Sequence, residues 1–233
     1  MRAVAIVPAY QAARSVGAVV RELFRSWPAS SGDPVVIAVD DGSSDGTAKA
    51  AEAAGAELLR HAQNRGKGAA LKSGLERARE LGADVAVTVD ADGQHPAAEA
   101  MRVLCNPAPA EALVLGVRDL LRDGAPPQNR FSNGFSNVFL SLFSGRKLSD
   151  TQCGLRRYPV AQTLALAPRE TGYGFEAEVI LRAARAGWSI VEMPVRVFYP
   201  PEHERVSHFH VVRDPARIVY RVLHTFATAK GPR

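Results

Sequence analysis

The sequence predicts an α/β chain, with a mainly parallel central sheet flanked by helices on both faces. Three observations predict it. Short, continuous apolar runs rich in β-branched residues recur through the first half, as strands buried on both faces require. Segments with apolar residues at helical spacing separate them, and strands that alternate with crossover helices build a parallel sheet. Paired carboxylates follow two of the runs, Asp40-Asp41 and Asp90-Ala91-Asp92. An open parallel sheet gathers its ligands at the carboxyl ends of its strands.

Taken in order, Ala3 to Val7 is the first buried run, and Val16, Val19, Val20, Leu23 and Phe24 mark a helix after it. Val35 to Val39 is the second strand, Ser44 to Ala54 a helix with a polar start, and Ala56 to Leu59 a short strand. Gly68 to Leu81 is an Ala/Leu-rich helix stopped by Gly82, and Val85 to Val89 is the next strand. The second half is less regular. Leu113 to Val117 reads as a strand, 124–128 as a Pro-rich loop, Gly134 to Leu142 and Tyr173 to Ala186 as helices, and Ile190 to Val197 as a strand. Asp214 to Ala229 reads as a terminal amphipathic helix. No repeat or linker divides the chain, so one domain over 1–233 is expected.

The 233 residues carry 29 Lys and Arg against 24 Asp and Glu, a formal charge of +5. A basic excess favours anionic partners, but no recognised motif supports nucleic acid. Cys105 and Cys153 fit neither a metal spacing nor a disulfide framework, so a reducing, cytoplasmic compartment is expected. No window holds the ~20 uninterrupted apolar residues of a membrane span, which leaves peripheral contact as the expected mode at a membrane.

Asp90 and Asp92 stand two apart, and in an extended segment such residues point the same way. Two convergent carboxylates suit a hard cation, Mg²⁺ or Mn²⁺, which bridges diphosphates; Gln94 offers a further oxygen. The same four residues are also good turn chemistry. Asn64-Arg65-Gly66-Lys67-Gly68 leads into a helix whose N-terminus, with Arg65 and Lys67, suits an anion. It is not a P-loop, and no Gly-x-Gly-x-x-Gly follows the first strand, which argues against a dinucleotide dehydrogenase.

Val7-Pro8-Ala9-Tyr10, the 39–47 segment Val-Asp-Asp-Gly-Ser-Ser-Asp-Gly-Thr, Asn64 to Gly68, and Asp90-Ala91-Asp92-Gly93-Gln94-His95-Pro96 occur in that order. Together they resemble family 2 glycosyltransferases of the GT-A fold, most of all the dolichyl- or polyprenyl-phosphate mannosyl- and glucosyltransferases. Asp150-Thr151-Gln152-Cys153-Gly154-Leu155-Arg156, Phe175 to Glu178 and Glu192 to Val195 extend the likeness. It implies a Rossmann-like nucleotide-sugar half (1–96), an acceptor half (97–212) and a C-terminal helix (213–233). It further implies a UDP- or GDP-sugar donor held by Pro8, Tyr10, Asp40, Asp41, Arg65, Lys67, Asp90 and Ala91. Asp90, Asp92 and Gln94 are its metal positions, and Asp150 falls near the donor sugar. Arg118 and Arg130 match arginines near an acceptor phosphate, whose fork of donors suits that group.

An inverting transfer follows, with the metal stabilising the leaving diphosphate. A phosphate acceptor needs no base; a hydroxyl acceptor would need one, and Glu176 stands where many family members carry it. A non-catalytic nucleotide-sugar-binding module is the third reading. Val206 to His210 replaces the Gly-x-Ser-Lys of the lipid-phosphate subgroup, which makes Arg205 and His208 the nearest candidates for the lost cation. A lipid acceptor places the protein at the inner membrane face and calls for a membrane-protein partner to move the product. The Phe135 to Phe143 stripe, flanked by Arg130, Arg146 and Lys147, is the candidate lipid-facing element.

Overall fold

The computed structural model describes residues 1–199. The expected terminal helix, with Arg205, His208 and His210, lies outside the described residues. One seven-stranded sheet organises them, in the order β3-β2-β1-β4-β6-β5-β7. Its strands are β1 (Ala3–Ala9), β2 (Val36–Asp40), β3 (Glu57–Arg60), β4 (Val85–Thr88), β5 (Leu113–Arg118), β6 (Arg156–Pro159) and β7 (Ile190–Val195). All pairings are parallel except the two that β6 makes with β4 and β5.

The helices are α1 (Val16–Ser26), α2 (Thr47–Ala53), α3 (Lys67–Glu80), α4 (Ala97–Leu104), α5 (Pro127–Ser144), α6 (Val160–Ala165) and α7 (Gly174–Arg185). From β1 to β3 the chain steps outward through α1 and α2. It then returns over β2 and β1 through α3 to reach β4. Right-handed crossovers therefore put α1 and α2 on one face and α3 on the other. Strand alternation matches this: Ala3, Ala5 and Val7 pack with Val16, Val20 and Leu23, and Val4 and Ile6 pack with Leu71 and Leu75. The chain reverses between β1 and β4, and a crevice opens at the carboxyl ends of strands flanking such a point.

Pro8 sits inside a central strand without breaking a ladder. Ala5 N–H donates to Val35 and the Ala9 carbonyl accepts from Asp41, both toward β2. Alternation turns Pro8 toward β4, whose pairing with β1 has ended at Ile6 and Thr88.

Several elements differ from expectation. Helix α2 begins at Thr47 rather than Ser44, because Asp45 Oδ1 accepts from Thr47 N at 3.0 Å and closes the turn. Helix α5 begins at Pro127, inside the expected loop, since proline suits the first turn, where its missing N–H costs no bond. Strand β7 ends at Val195. The short helices α4 and α6 and strand β6 had no expectation attached. Strand β6 contains Arg156 and Arg157, both fully buried. Successive strand residues face opposite ways, and each arginine finds backbone carbonyls there. Arg156 donates to Cys153, Thr151 and Glu176, and Arg157 to Leu104, Asn106, Ala108 and Pro109 beyond the end of α4. Buried guanidinium groups require such partners.

Candidate active site

Asp41 follows β2 and is buried. Its Oδ1 lies 2.6 Å from His61 Nδ1 and accepts from Arg65 N at 2.9 Å, while Oδ2 accepts from Gly66 N at 2.7 Å. His61 Nε2 in turn meets Ser73 Oγ at 3.0 Å. Asp40 is also buried; it accepts from Ser43 N at 3.0 Å and pairs with Arg60 Nε at 3.2 Å. These two carboxylates thus brace the loops that follow β2 and β3. Tyr10 is half-buried at the end of β1. Arg65 lines a separate cleft of about 440 Å³ with Lys72, Ser73 and Arg169.

Lys67 is the first residue of α3. A Cβ on Gly68 would lie 2.6 Å from Phe175 Cβ and 2.8 Å from Glu170 O, so only glycine lets α3 start this close to α7. That approach carries Lys67 Nζ to 2.7 Å from Asp90 Oδ1 and 3.3 Å from Glu176 Oε1. Across Asp90, a Cβ on Gly154 would overlap the Asp90 carboxylate. The motif after Asp150 therefore has glycine where its backbone closes over Asp90.

Burial opposes ionisation of Asp90, but the Lys67 charge outweighs it and holds its pKa below the usual carboxylate value. Burial likewise opposes the Lys67 charge, and Asp90 with Glu176 reverses that, keeping the lysine protonated. Asp92 is exposed to solvent. Desolvation by the surrounding protein, then the Asp90 charge, raises its pKa to about 6. Its Oδ1 accepts from Gln94 N at 2.9 Å, and the Gln94 carbonyl accepts from Phe198 N at 2.8 Å. Ala91 is buried between the two carboxylates. His95 is buried 3.6 Å from Cys153 Sγ, and burial lowers its pKa to about 4, so it is neutral at pH 7.

Beside this cluster, Arg118 at the end of β5 grips Asp150. Its Nε and Nη2 donate to the two carboxylate oxygens at 2.7 and 3.0 Å, and its backbone N–H donates at 3.1 Å. The fork expected for an acceptor phosphate is therefore engaged by Asp150, and Nη1 faces Tyr199 Oη at 3.4 Å. Arg118 also lines a cleft of about 690 Å³, with Arg122, Arg130, Asn133 and Asn137. Arg130 is exposed there and forms no ion pair among the described residues. Asn133 is 2% exposed, and its Oδ1, an acceptor, has no hydrogen-bond partner.

The residues fit a hard divalent cation. Asp90 and Asp92 supply hard carboxylate oxygen, and the Asp90 charge opposes ionisation of Asp92, a repulsion that a dication would relieve. Among the described residues no three His, Cys, Asp or Glu side chains converge as a metal cage. Further ligands would come from a bound diphosphate and water, as Mg²⁺ sites commonly use.

Residues 4–158 match the model of the family described as glycosyl transferase family 2. The chain belongs to that family. Among relatives of this glycosyltransferase, the undecaprenyl-phosphate mannosyltransferase of Micrococcus luteus is 31% identical over 206 residues, covering 84% of this chain and 83% of the relative. The UDP-N-acetylglucosamine–dolichyl-phosphate N-acetylglucosaminyltransferase of Methanococcus voltae is 29% identical, covering 83% and 84%. The fold is that of glucosyl-3-phosphoglycerate synthase from Mycobacterium tuberculosis, solved in complex with Mn²⁺, UDP and phosphoglyceric acid. The match has a TM-score of 0.72 at 19% identity and covers 100% of this chain and 80% of that one. The transferase thus has the GT-A fold expected from its motifs.

Three contributors were missed in the sequence: His61, Asn133 and the Lys67–Glu176 contact. None of them left a signal, because each depends on a contact between segments distant in the sequence.

Proposed function

We propose that this transferase moves a hexose, with inversion, from a UDP- or GDP-linked donor to a polyprenyl-phosphate-type acceptor at a membrane surface. The observation that carries the reading is the meeting of two sites at Arg118. This residue pairs with Asp150, whose loop closes over Asp90 at Gly154, and it also lines the cleft that holds Arg130 and Asn133. A carboxylate-and-lysine cluster suited to a metal–diphosphate thus adjoins a basic cleft suited to a second phosphate. The two relatives, named for undecaprenyl and dolichyl phosphate, support the same acceptor class.

In this reading the 1–96 half holds the donor. Pro8 and Tyr10 border the base and ribose, while Asp40 and Asp41 hold the loops around them. Asp92, Asp90 and Gln94 hold Mg²⁺ or Mn²⁺, which when bound supplies Lewis-acid stabilisation of the departing diphosphate. Lys67 adds a fixed positive charge beside Asp90. Asp150 orients Arg118 at the junction with the acceptor half. Arg130 receives the acceptor phosphate, which is already ionised near neutral pH and attacks without a base. Glu176 accordingly serves as a positioning residue for Lys67.

The test is transfer itself. The enzyme is incubated with Mn²⁺, undecaprenyl phosphate in detergent, and radiolabelled UDP-glucose, UDP-N-acetylglucosamine or GDP-mannose in turn. One donor is expected to move label into the organic phase as a product cleaved by mild acid, and Asp92→Ala is expected to abolish it. Label found only in acid-stable, hydroxyl-linked products would overturn the acceptor assignment.

A further inference from the structure

Helix α5 carries three distinct faces. Ser132, Ser136 and Leu140 turn inward and are buried. Arg130, Asn133, Gly134 and Asn137 line the acceptor cleft. A third face presents Phe131, Phe135, Val138 and Leu142 to solvent, 80%, 51%, 73% and 75% exposed. Their spacing of four, three and four residues makes one continuous stripe along the helix. Leu121, 73% exposed, extends the apolar surface beside the cleft. Apolar stripes of this size on a soluble surface mark an interaction site.

Charge indicates the partner. Between Gly124 and Ser149 the chain has no Asp or Glu, and its only charged residues are Arg130, Arg146 and Lys147. All three are exposed, as is Arg122 beside the cleft. A symmetric pair of copies would set this basic patch against itself, which disfavours self-association. No helix among the described residues is long and apolar enough to cross a membrane. An apolar stripe edged by basic residues instead suits a helix lying in the plane of an anionic bilayer.

We infer that α5 is the membrane-docking surface of this transferase. Phe131, Phe135, Val138 and Leu142 enter the boundary between headgroups and acyl chains. Arg130, Arg146 and Lys147 meet the lipid phosphates. Arg130 belongs to both surfaces, so docking on α5 brings the cleft to headgroup level, where a lipid-linked phosphate lies. The inference rests on the proposed lipid acceptor for this last step only; docking itself stands on the geometry of α5.

The experiment is co-sedimentation of the full chain with vesicles of phosphatidylcholine alone or with one quarter phosphatidylglycerol, without donor or acceptor. Phe131→Ser/Val138→Ser removes half the stripe without touching the cleft. Salt-sensitive binding to the anionic vesicles is expected, weakened about tenfold or more in the double variant. The variant's melting temperature is expected to stay unchanged. Transfer to a short, water-soluble polyprenyl phosphate is expected to match wild type, so loss of docking and loss of the reaction read out separately. Absence of vesicle binding, or equal binding by the variant, would overturn the inference. So would a dimer that the variant dissolves, which assigns the stripe to a second copy. A lowered melting temperature with unchanged vesicle binding would overturn it too, by assigning the stripe to residues 200–233.

Discussion

Replacing Asp150 by Asn is expected to destabilise the transferase by about 3–5 kcal/mol, the usual cost of breaking a buried ion pair from one side. The Asp150 side chain is 0% exposed and that of Arg118 14%. The carboxylate accepts from Arg118 N, Nε and Nη2 and from Gln152 N. Asparagine keeps one acceptor oxygen but turns an amide NH₂ toward donors, leaving the guanidinium without its counter-charge. For a chain of this size each kcal/mol moves the melting temperature by about 2–4 °C, so a fall of roughly 6–20 °C is expected by calorimetry. The double variant Arg118→Met/Asp150→Asn removes the stranded charge and should recover about 2 kcal/mol of that loss. Burial opposes ionisation of Asp150, but Arg118 outweighs it and depresses the pKa below 3.8. A depressed carboxylate stabilises fully above its unfolded value and loses that contribution as pH falls through the folded value. Acid sensitivity below pH 3.8 should therefore be smaller in Asp150→Asn than in wild type. A single-variant cost under about 1 kcal/mol, or a double variant as unstable as the sum of its singles, would refute this reasoning.

Two further outcomes follow from the site. Glu176→Gln should lower kcat by only about 3–30-fold with an unchanged pH profile, because Glu176 positions Lys67; a general base would cost about 10²–10⁴, and a loss of that size with a lost acidic limb would contradict the assignment. Cys105 is exposed, whereas Cys153 is buried and desolvation pushes its thiol up to about 12, so a thiol reagent at pH 8 should modify one cysteine in the native protein and both after denaturation; two fast-reacting native thiols would contradict that burial.

Much of the sheet was legible because its strands are continuous apolar runs. Val4 to Val7, Ile37 to Val39 and Val85 to Val87 are all fully or almost fully buried, and nothing polar interrupts the pattern. Strand β6 was not legible, since Arg-Arg-Tyr-Pro has no apolar run, and its buried arginines depend on carbonyls of the loop just before it and of the loop after α4. Helix α4 did leave a signal in Ala97, Ala100, Met101 and Leu104 after Pro96, but the helix spans barely two turns. At the site, strand-end position singled out Asp90 and Asp92. What it could not give was their electrostatics. Lys67 meets Glu176 only because Gly68 lets α3 approach α7, and Arg118 meets the buried Asp150 from 32 residues away in the chain. Those pairings are tertiary, and sequence spacing carries no trace of them.

The most direct test of the central claim, that Asp90 and Asp92 hold a metal–diphosphate beside Lys67, is calorimetric titration of UDP and GDP into the native protein and Asp92→Ala, each with and without Mn²⁺. Binding of one nucleotide that requires Mn²⁺ and falls at least about tenfold in Asp92→Ala is the predicted result. Equal affinity with and without metal, or an unaltered isotherm in the variant, would contradict it.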